Sequence, residues 1–208
     1  MAFGHFKNKA AVLEKFSIRY EEERFVVPTE FTISQAFLDD FNFVREHIDT
    51  RVSESSICEN IIYPILKEVY KKYADDFALW SHKTVEYDSE LTGAPDYLLA
   101  TKSELGKIVL GRPLLMIVEA KKNDFEEGWG QCSAEMVMAQ KINASPSFTV
   151  YGIVSDGDVW EFGKLLENEF TMNRDLFTLS EIERLFGAVD FVLSRLKQSL
   201  PAVQIAKP

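Results

Sequence analysis

The sequence predicts an α/β protein with a central mixed β-sheet flanked by helices. Strand-length apolar runs and helical stretches follow one another in the order helix, three strands, helix, two strands, helix. No internal repeat or proline-rich linker divides the 208 residues, and 46% hydrophobic side chains are enough for one substantial core. We therefore expect one compact unit, in which residues 1–50 form an N-terminal helical extension packed on a domain of residues 51–208 with a C-terminal helix.

Composition narrows the class of protein and its partners. Sixteen Phe and three Trp exclude a disordered chain, and no stretch holds the roughly 18 consecutive apolar residues of a membrane span. Charged residues interrupt the first stretch of the chain, whereas a secretory signal has an uninterrupted apolar segment. Cys58 and Cys132 lack zinc-ligand spacing and suit a reducing compartment. We expect a cytoplasmic protein without a membrane partner. Its formal charge of −10 is unlike that of a protein that grips nucleic acid over a wide surface.

Two helices are predicted in the first quarter of the chain. Residues 7–17 read as a short helix, and "TISQAFLDDFNFVREHI" reads as a second one with Thr32 or Ser34 as its N-cap. Four apolar side chains would line one face of the second helix at helical spacing: Phe37, Phe41, Val44 and Ile48.

A longer helix and three strands follow. "SESSICENIIYPILKEVYKKYADDF" opens with a serine-rich cap, and we expect Pro64 to bend the helix. The runs "FALWSHKTVEYD", "APDYLLATK" and "PLLMIVEAKK" are strand-like and are separated by glycine turns. A helix over residues 124–143 then precedes two strands joined at Asp156-Gly157, a strong hairpin signal. Residues 180–200 predict the last helix.

Charged residues at the end of the third strand point to chemistry. "LLMIVEAKK" begins as a buried strand and ends with Glu119 and Lys121, which alternation places on the same side. "GAPDYLL" puts Asp96 at the start of the preceding strand. Two carboxylates that converge repel each other unless a cation lies between them. Oxygen ligands favour Mg²⁺ or Mn²⁺, which can activate water and neutralise phosphate charge, and Lys121 could orient that water.

These segments resemble the PD-(D/E)XK nuclease superfamily, which has the restriction-endonuclease-like fold. Pro95-Asp96 correspond to the PD, and Glu119-Ala120-Lys121 to the (D/E)XK. Many members carry a glutamate on the helix before the first strand, as Glu59 does in "SICENIIYPIL". Several carry a glutamine early in the next helix, as Gln131 does in "GWGQCSAEM". The resemblance covers about residues 55–160.

The resemblance implies metal-dependent cleavage of DNA or RNA, with DNA the expected substrate in restriction, defence or repair. Asp96 and Glu119 would bind the metal, with the Ala120 carbonyl as an extra ligand and Glu59 acting through water. Lys121 would position the attacking water, and Gln131 would support the site or contact the backbone.

Each of these residues also has an ordinary structural explanation. Glu119 and Lys121 could form a strand-end ion pair, and Asp96 could be a turn residue after proline. Glu59 could be a first-turn carboxylate favoured by the helix dipole, and Gln131 a polar residue on an amphipathic helix.

Other functions stay open at the level of sequence. The fold could serve as a non-catalytic interaction or assembly module, a reading that the acidic charge supports. The chain could also be a nuclease subunit whose nucleic-acid recognition lies on a separate chain. A homodimer is a further option, since the N-terminal helices and the C-terminal helix could supply an apolar interface.

Overall fold

The computed structural model describes residues 6–122 and 124–200 and has an α/β architecture with a large mixed sheet between helices. The predicted fold class is confirmed at this level. The helices are α1 (Lys9–Phe16), α2 (Gln35–His47), α3 (Glu54–Ile57), α4 (Tyr63–Tyr70), α5 (Phe125–Ile142) and α6 (Ile182–Ser199). The strands are β1 (Arg19–Glu23), β2 (Phe77–Ser81), β3 (Val85–Glu86), β4 (Thr92–Gly93), β5 (Tyr97–Thr101), β6 (Leu114–Ala120), β7 (Val150–Ser155), β8 (Val159–Leu166), β9 (Glu169–Asn173) and β10 (Phe177–Thr178).

The main sheet has eight strands, seven of them in the order β1-β9-β8-β7-β6-β5-β2, while β10 pairs with β8. Two pairs are parallel, β6 with β7 and β1 with β9, and the others are antiparallel. Helix α5 connects β6 to β7 and packs against both. The ends of β5 and β6 that carry the candidate site therefore lie beneath α5, on the second and third strands from the β2 edge of the sheet.

Helices cover both faces of the sheet. One face packs against α2, α3, α4 and α6, and its core includes Ile65, Phe162 and Phe186. The other face packs against α1 and α5, and its core includes Ile117 and Trp129. None of the helices within residues 6–122 and 124–200 is both long enough and apolar enough to cross a membrane.

The predicted third helix is divided by a π-helical turn. This turn spans Cys58–Ile62 between α3 and α4, and Pro64 lies in the first turn of α4. Proline has no N–H to donate and is well tolerated in the first turn of a helix. Pro64 thus begins a new helical segment where the sequence predicted a bend.

Strand β1 lies within the segment that the sequence predicted to be helical. Its five residues, RYEEE, are all exposed, and they pair in parallel with β9 at the edge of the sheet. Because no residue of β1 is buried, the strand lacks the alternation of apolar and polar residues by which strands are recognised. Its place is set by the distant strand β9.

Candidate active site

The antiparallel register of β5 and β6 brings Asp96 and Glu119 together. Tyr97, the first residue of β5, pairs with Val118, so that the residue before Tyr97 meets the residue after Val118. The Asp96 N–H donates to Glu119 Oε1 at 3.4 Å. The sequence predicted this convergence, and the strand pairing produces it.

The Asp96 carboxylate is held by two neighbours. Its Oδ2 accepts a hydrogen bond from the Ala120 N–H at 2.8 Å, and its Oδ1 lies 3.3 Å from His82 Nε2. Burial raises the pKa of Asp96, whereas the Ala120 hydrogen bond and the His82 ring oppose that rise. One oxygen therefore faces the backbone of β6, and the other faces the end of β2.

Glu119 points toward α5, because alternation along β6 places it on the face that packs against that helix. Only 4% of the residue is exposed. Burial raises the pKa of Glu119 to about 8, and a hydrogen bond with Glu135 opposes the rise. A carboxyl group in this environment tends to keep its proton near neutral pH unless a cation compensates for the lost solvation.

Glu135 is a second buried acid on α5, with 1% of its surface exposed. Burial first, and then the charge of Glu119, raise its pKa well above the ordinary glutamate value. Its Oε2 has no hydrogen-bond partner among the described residues. A buried oxygen without a partner costs about 1–3 kcal/mol, so this carboxyl group is an unmatched acceptor beside Glu119.

Lys121 lies on the same side of the strand as Glu119, as alternation predicted. Its backbone N–H donates to Ser155 O at 2.9 Å, which extends the β6–β7 ladder by one residue. A Cβ added to Gly128 of α5 would lie 2.9 Å from Lys121 Cγ. The helix backbone thus packs against the aliphatic stem of Lys121, whose side chain is 16% exposed.

The acidic residue that α3 brings to the strand end is Glu54. Its Oε2 lies 4.0 Å from Lys121 Nζ, its Oε1 accepts from the Lys122 N–H at 3.3 Å, and its charge raises the pKa of Asp96. Glu59 is exposed in the π-helical turn, where Cys58, Ile61 and Ile62 take the buried positions. Gln131 is half-buried on α5, one helical turn before Glu135.

The chemical type of the oxygen ligands at this site suits a hard divalent ion. Asp96 and Glu119 supply carboxylates, and the unmatched Glu135 Oε2 supplies a further acceptor on the same side. Within residues 6–122 and 124–200, no group of three or more His, Cys, Asp or Glu side chains is arranged to hold a metal ion. Asp96 Oδ2 and Glu119 Oε1 each accept one hydrogen bond, from the Ala120 N–H and the Asp96 N–H respectively.

Three residues near the site were not singled out from the sequence: His82, Glu54 and Glu135. Glu135 did carry a signal, because it is the only charged residue between positions 128 and 140 of the predicted helix. A lone charge in such a stretch is costly to bury and suggests a polar partner. His82 and Glu54 carry no comparable signal, since exposed loops and helix starts commonly contain such residues.

Comparison with protein-family models found no match for this chain, and comparison with curated proteins found none.

Proposed function

We propose that the protein is a divalent-metal-dependent nuclease of the PD-(D/E)XK type that hydrolyses phosphodiester bonds of DNA. The observation that carries this proposal is the convergence of Asp96 and Glu119 on adjacent strands with Lys121 beside them. The order β5, β6, α5, β7 in a mixed sheet supports a restriction-endonuclease-like fold. The expected location in the cytoplasm would give such an enzyme access to DNA.

The proposed roles follow from burial and position. Asp96 and Glu119 would hold Mg²⁺ or Mn²⁺, with the Ala120 carbonyl as a further ligand. A bound ion would supply an activated water and neutralise charge on the phosphate. Lys121 orients the attacking water through its ammonium group, while Glu54 limits where that group can lie. Glu135 sets the position of the Glu119 carboxylate by hydrogen bonding.

Cleavage of supercoiled plasmid tests the proposal directly. We expect cutting with Mg²⁺ or Mn²⁺ that stops when a chelator is added. Glu119→Gln and Lys121→Ala should each lower the rate by about 100-fold or more, the scale of a lost electrostatic or acid–base contribution. Lys122→Ala is the matched control, because it removes an exposed cation one residue away and should retain activity.

Circular dichroism spectra and melting curves establish that the variants are folded. Equal cutting by wild-type protein, Glu119→Gln and Lys121→Ala would refute the assignment. Cleavage of RNA without cleavage of DNA would change the proposed substrate to RNA and leave the proposed site unchanged.

The Glu119–Glu135 pair favours a second candidate, a non-catalytic assembly module with the same fold. Both carboxyl groups have raised pKa values, and protonation of both would neutralise this pair and remove the need for a metal. Such a module would show no metal-dependent cutting and no change in melting temperature with Mn²⁺. A nuclease subunit that depends on a separate recognition chain would still gain stability from Mn²⁺.

A further inference from the structure

A groove lies along the free edge of the sheet, beside β2. Among the residues that the structure describes, β2 pairs with β5 alone, and residues of the loop that connects β5 to β6 line the groove together with β2. The groove has a volume of about 550 Å³. Its walls include Tyr70 from α4, Leu79 and Trp80 from β2, and Lys102, Lys107 and Val109 from the loop.

The loop brings positive charge to this edge of an acidic protein. Residues 101–113 contain three cations and one carboxylate, whereas the whole chain has a formal charge of −10. Lys102 and Lys107 line the groove, and Lys83 Nζ lies 5.4 Å from the Trp80 ring. Among the residues that the structure describes, these three lysines form no ion pair with a carboxylate. Lys102 and Lys107, which line the groove without a carboxylate partner among the described residues, are available to phosphate groups.

Aromatic residues line the groove, and apolar side chains are exposed on the same loop. Trp80 and Tyr70 are half-buried and line the groove. On the same loop, Leu105 is 80% exposed and Ile108 is 81% exposed. Rings on which bases stack, combined with cations that follow the backbone, are the usual equipment for binding single-stranded nucleic acid.

The groove leads to the candidate active site along β2. Trp80 precedes His82 by two residues, a distance of about 7 Å in an extended strand. The His82 N–H donates to Asp96 O at 3.0 Å, and His82 Nε2 lies 3.3 Å from Asp96 Oδ1. Lys102 follows the opposite end of β5 from Asp96, so a single strand would have to extend about 20 Å along β5 to contact both the loop lysines and the carboxylates.

We infer that this groove binds a single-stranded segment of nucleic acid and directs it toward Asp96 and Glu119. The binding stands on the groove itself, whereas the direction toward the carboxylates rests on the proposed nuclease function. The Lys102 N–H donates to Asp76 O at 3.3 Å, which extends the β2–β5 ladder by one residue and fixes the start of the loop beside the start of β2.

Binding of a 12-nucleotide fluorescein-labelled oligothymidylate tests the inference by fluorescence anisotropy, in a chelator and at low salt. Lys102→Ala/Lys107→Ala should weaken binding about tenfold or more and lower the salt slope by about 1.4, since each single-strand phosphate contact contributes about 0.7. Arg45→Ala/Lys141→Ala is the matched control, because it removes two exposed cations that form no ion pair within the described residues and lie outside the groove. We expect its affinity to stay within about twofold of wild type.

A second variant tests the stacking surface without deleting it. Base stacking on Trp80 should quench tryptophan emission during the titration, and Trp80→Phe should lose most of that quenching while retaining affinity within about threefold. Absence of oligothymidylate binding by wild-type protein would overturn the inference. Equal weakening in the loop and control variants, or tighter binding of a matched duplex, would overturn it as well.

Cleavage assays on the same proteins separate this inference from the proposed function. Oligonucleotide binding that depends on Lys102 and Lys107, without cutting in Mg²⁺ or Mn²⁺, would support the groove and refute the nuclease. Cutting that depends on Glu119 but is unchanged in Lys102→Ala/Lys107→Ala would support the nuclease and refute the groove. If both hold, the loop variant should raise KM more than it lowers kcat.

Discussion

At the scale of single residues, the candidate site contains two buried acids in contact, Glu119 and Glu135. Both have raised pKa values, chiefly through burial. The pKa of Glu119 is about 4.5 in the unfolded chain and about 8 in the folded protein. At a pH between these two values, the native protein therefore holds more protons than the unfolded chain. The contribution of this pair to the free energy of unfolding therefore falls as the pH rises through that interval.

Stability measured against pH in a chelator checks this sign. From pH 5 to 7 we expect the free energy of unfolding to fall by about 1.4 kcal/mol per pH unit for each extra proton held. Glu135→Gln should reduce the slope, because the amide stays neutral at every pH. Glu126→Gln, at an exposed position of the same helix, should leave the slope unchanged. Urea denaturation at several pH values gives these slopes, and equal slopes in all three proteins would contradict the explanation.

Site residues could be predicted from the sequence where strand alternation and strand adjacency determine their positions. Asp96, Glu119 and Lys121 belong to this group, since each lies at or beside the end of a strand. Glu135 could not be paired with Glu119 in advance, because their contact depends on how α5 is rotated against β6. Glu59 illustrates the same limit, since the π-helical turn that exposes it leaves no clear periodic signal.

At the scale of elements, close packing of α5 on the sheet fixes the stem of Lys121. A Cβ added to Gly128 would lie 2.7 Å from Val154 Cγ1 and 2.9 Å from Lys121 Cγ. Real side chains do not make such short contacts, so with a larger residue at this position α5 or the side chains of Val154 and Lys121 must shift. Glycine at this position therefore sets the depth of the helix over the site.

Gly128→Ala should destabilise the protein by about 1–3 kcal/mol through overpacking and should also lower kcat. Val154→Ala removes the side chain in closest contact, so the double variant Gly128→Ala/Val154→Ala should be more stable than the sum of the single changes predicts. Urea denaturation of the four proteins in this cycle measures the coupling. Strict additivity would show that Gly128 and Val154 do not limit the approach of α5.

Elements were predictable where local chemistry determines them. Asp156-Gly157 predicted the hairpin between β7 and β8, and the turn is confirmed, with Asp156 Oδ1 accepting from the Val159 N–H at 2.8 Å. Gly157 has a φ of +92°, which glycine adopts readily. Strand β1 could not be predicted in this way, because the strand with which it pairs, β9, is separated from it by most of the sequence.

At the scale of the whole molecule, binding of a metal ion should increase the free energy of unfolding of the protein. An ion at 100 times its dissociation constant adds about 2.7 kcal/mol to the free energy of unfolding, or roughly 5–10 °C in melting temperature for a protein of this size. Differential scanning calorimetry with and without Mn²⁺ measures the shift. Glu119→Gln should abolish it, whereas Glu126→Gln should retain it. An equal shift in both variants would place the ion elsewhere.

The general architecture was predictable from the sequence, but the order of strands in the sheet was not. Apolar periodicity identified the helices and the central strands, which led to the confirmed α/β class. The extension of the sheet by β9 and β1 depends on pairing between distant segments, and such pairing leaves little trace in local composition.

The parallel pairing of β1 with β9 has a consequence for synthesis of the protein. Arg19 pairs with Glu169, so β1 has no strand partner until about 150 further residues have been made. At usual translation rates this interval is roughly 8–30 s. The three consecutive glutamates of β1, Glu21–Glu23, repel the same segment of another nascent chain, which protects the unpaired strand from intermolecular association.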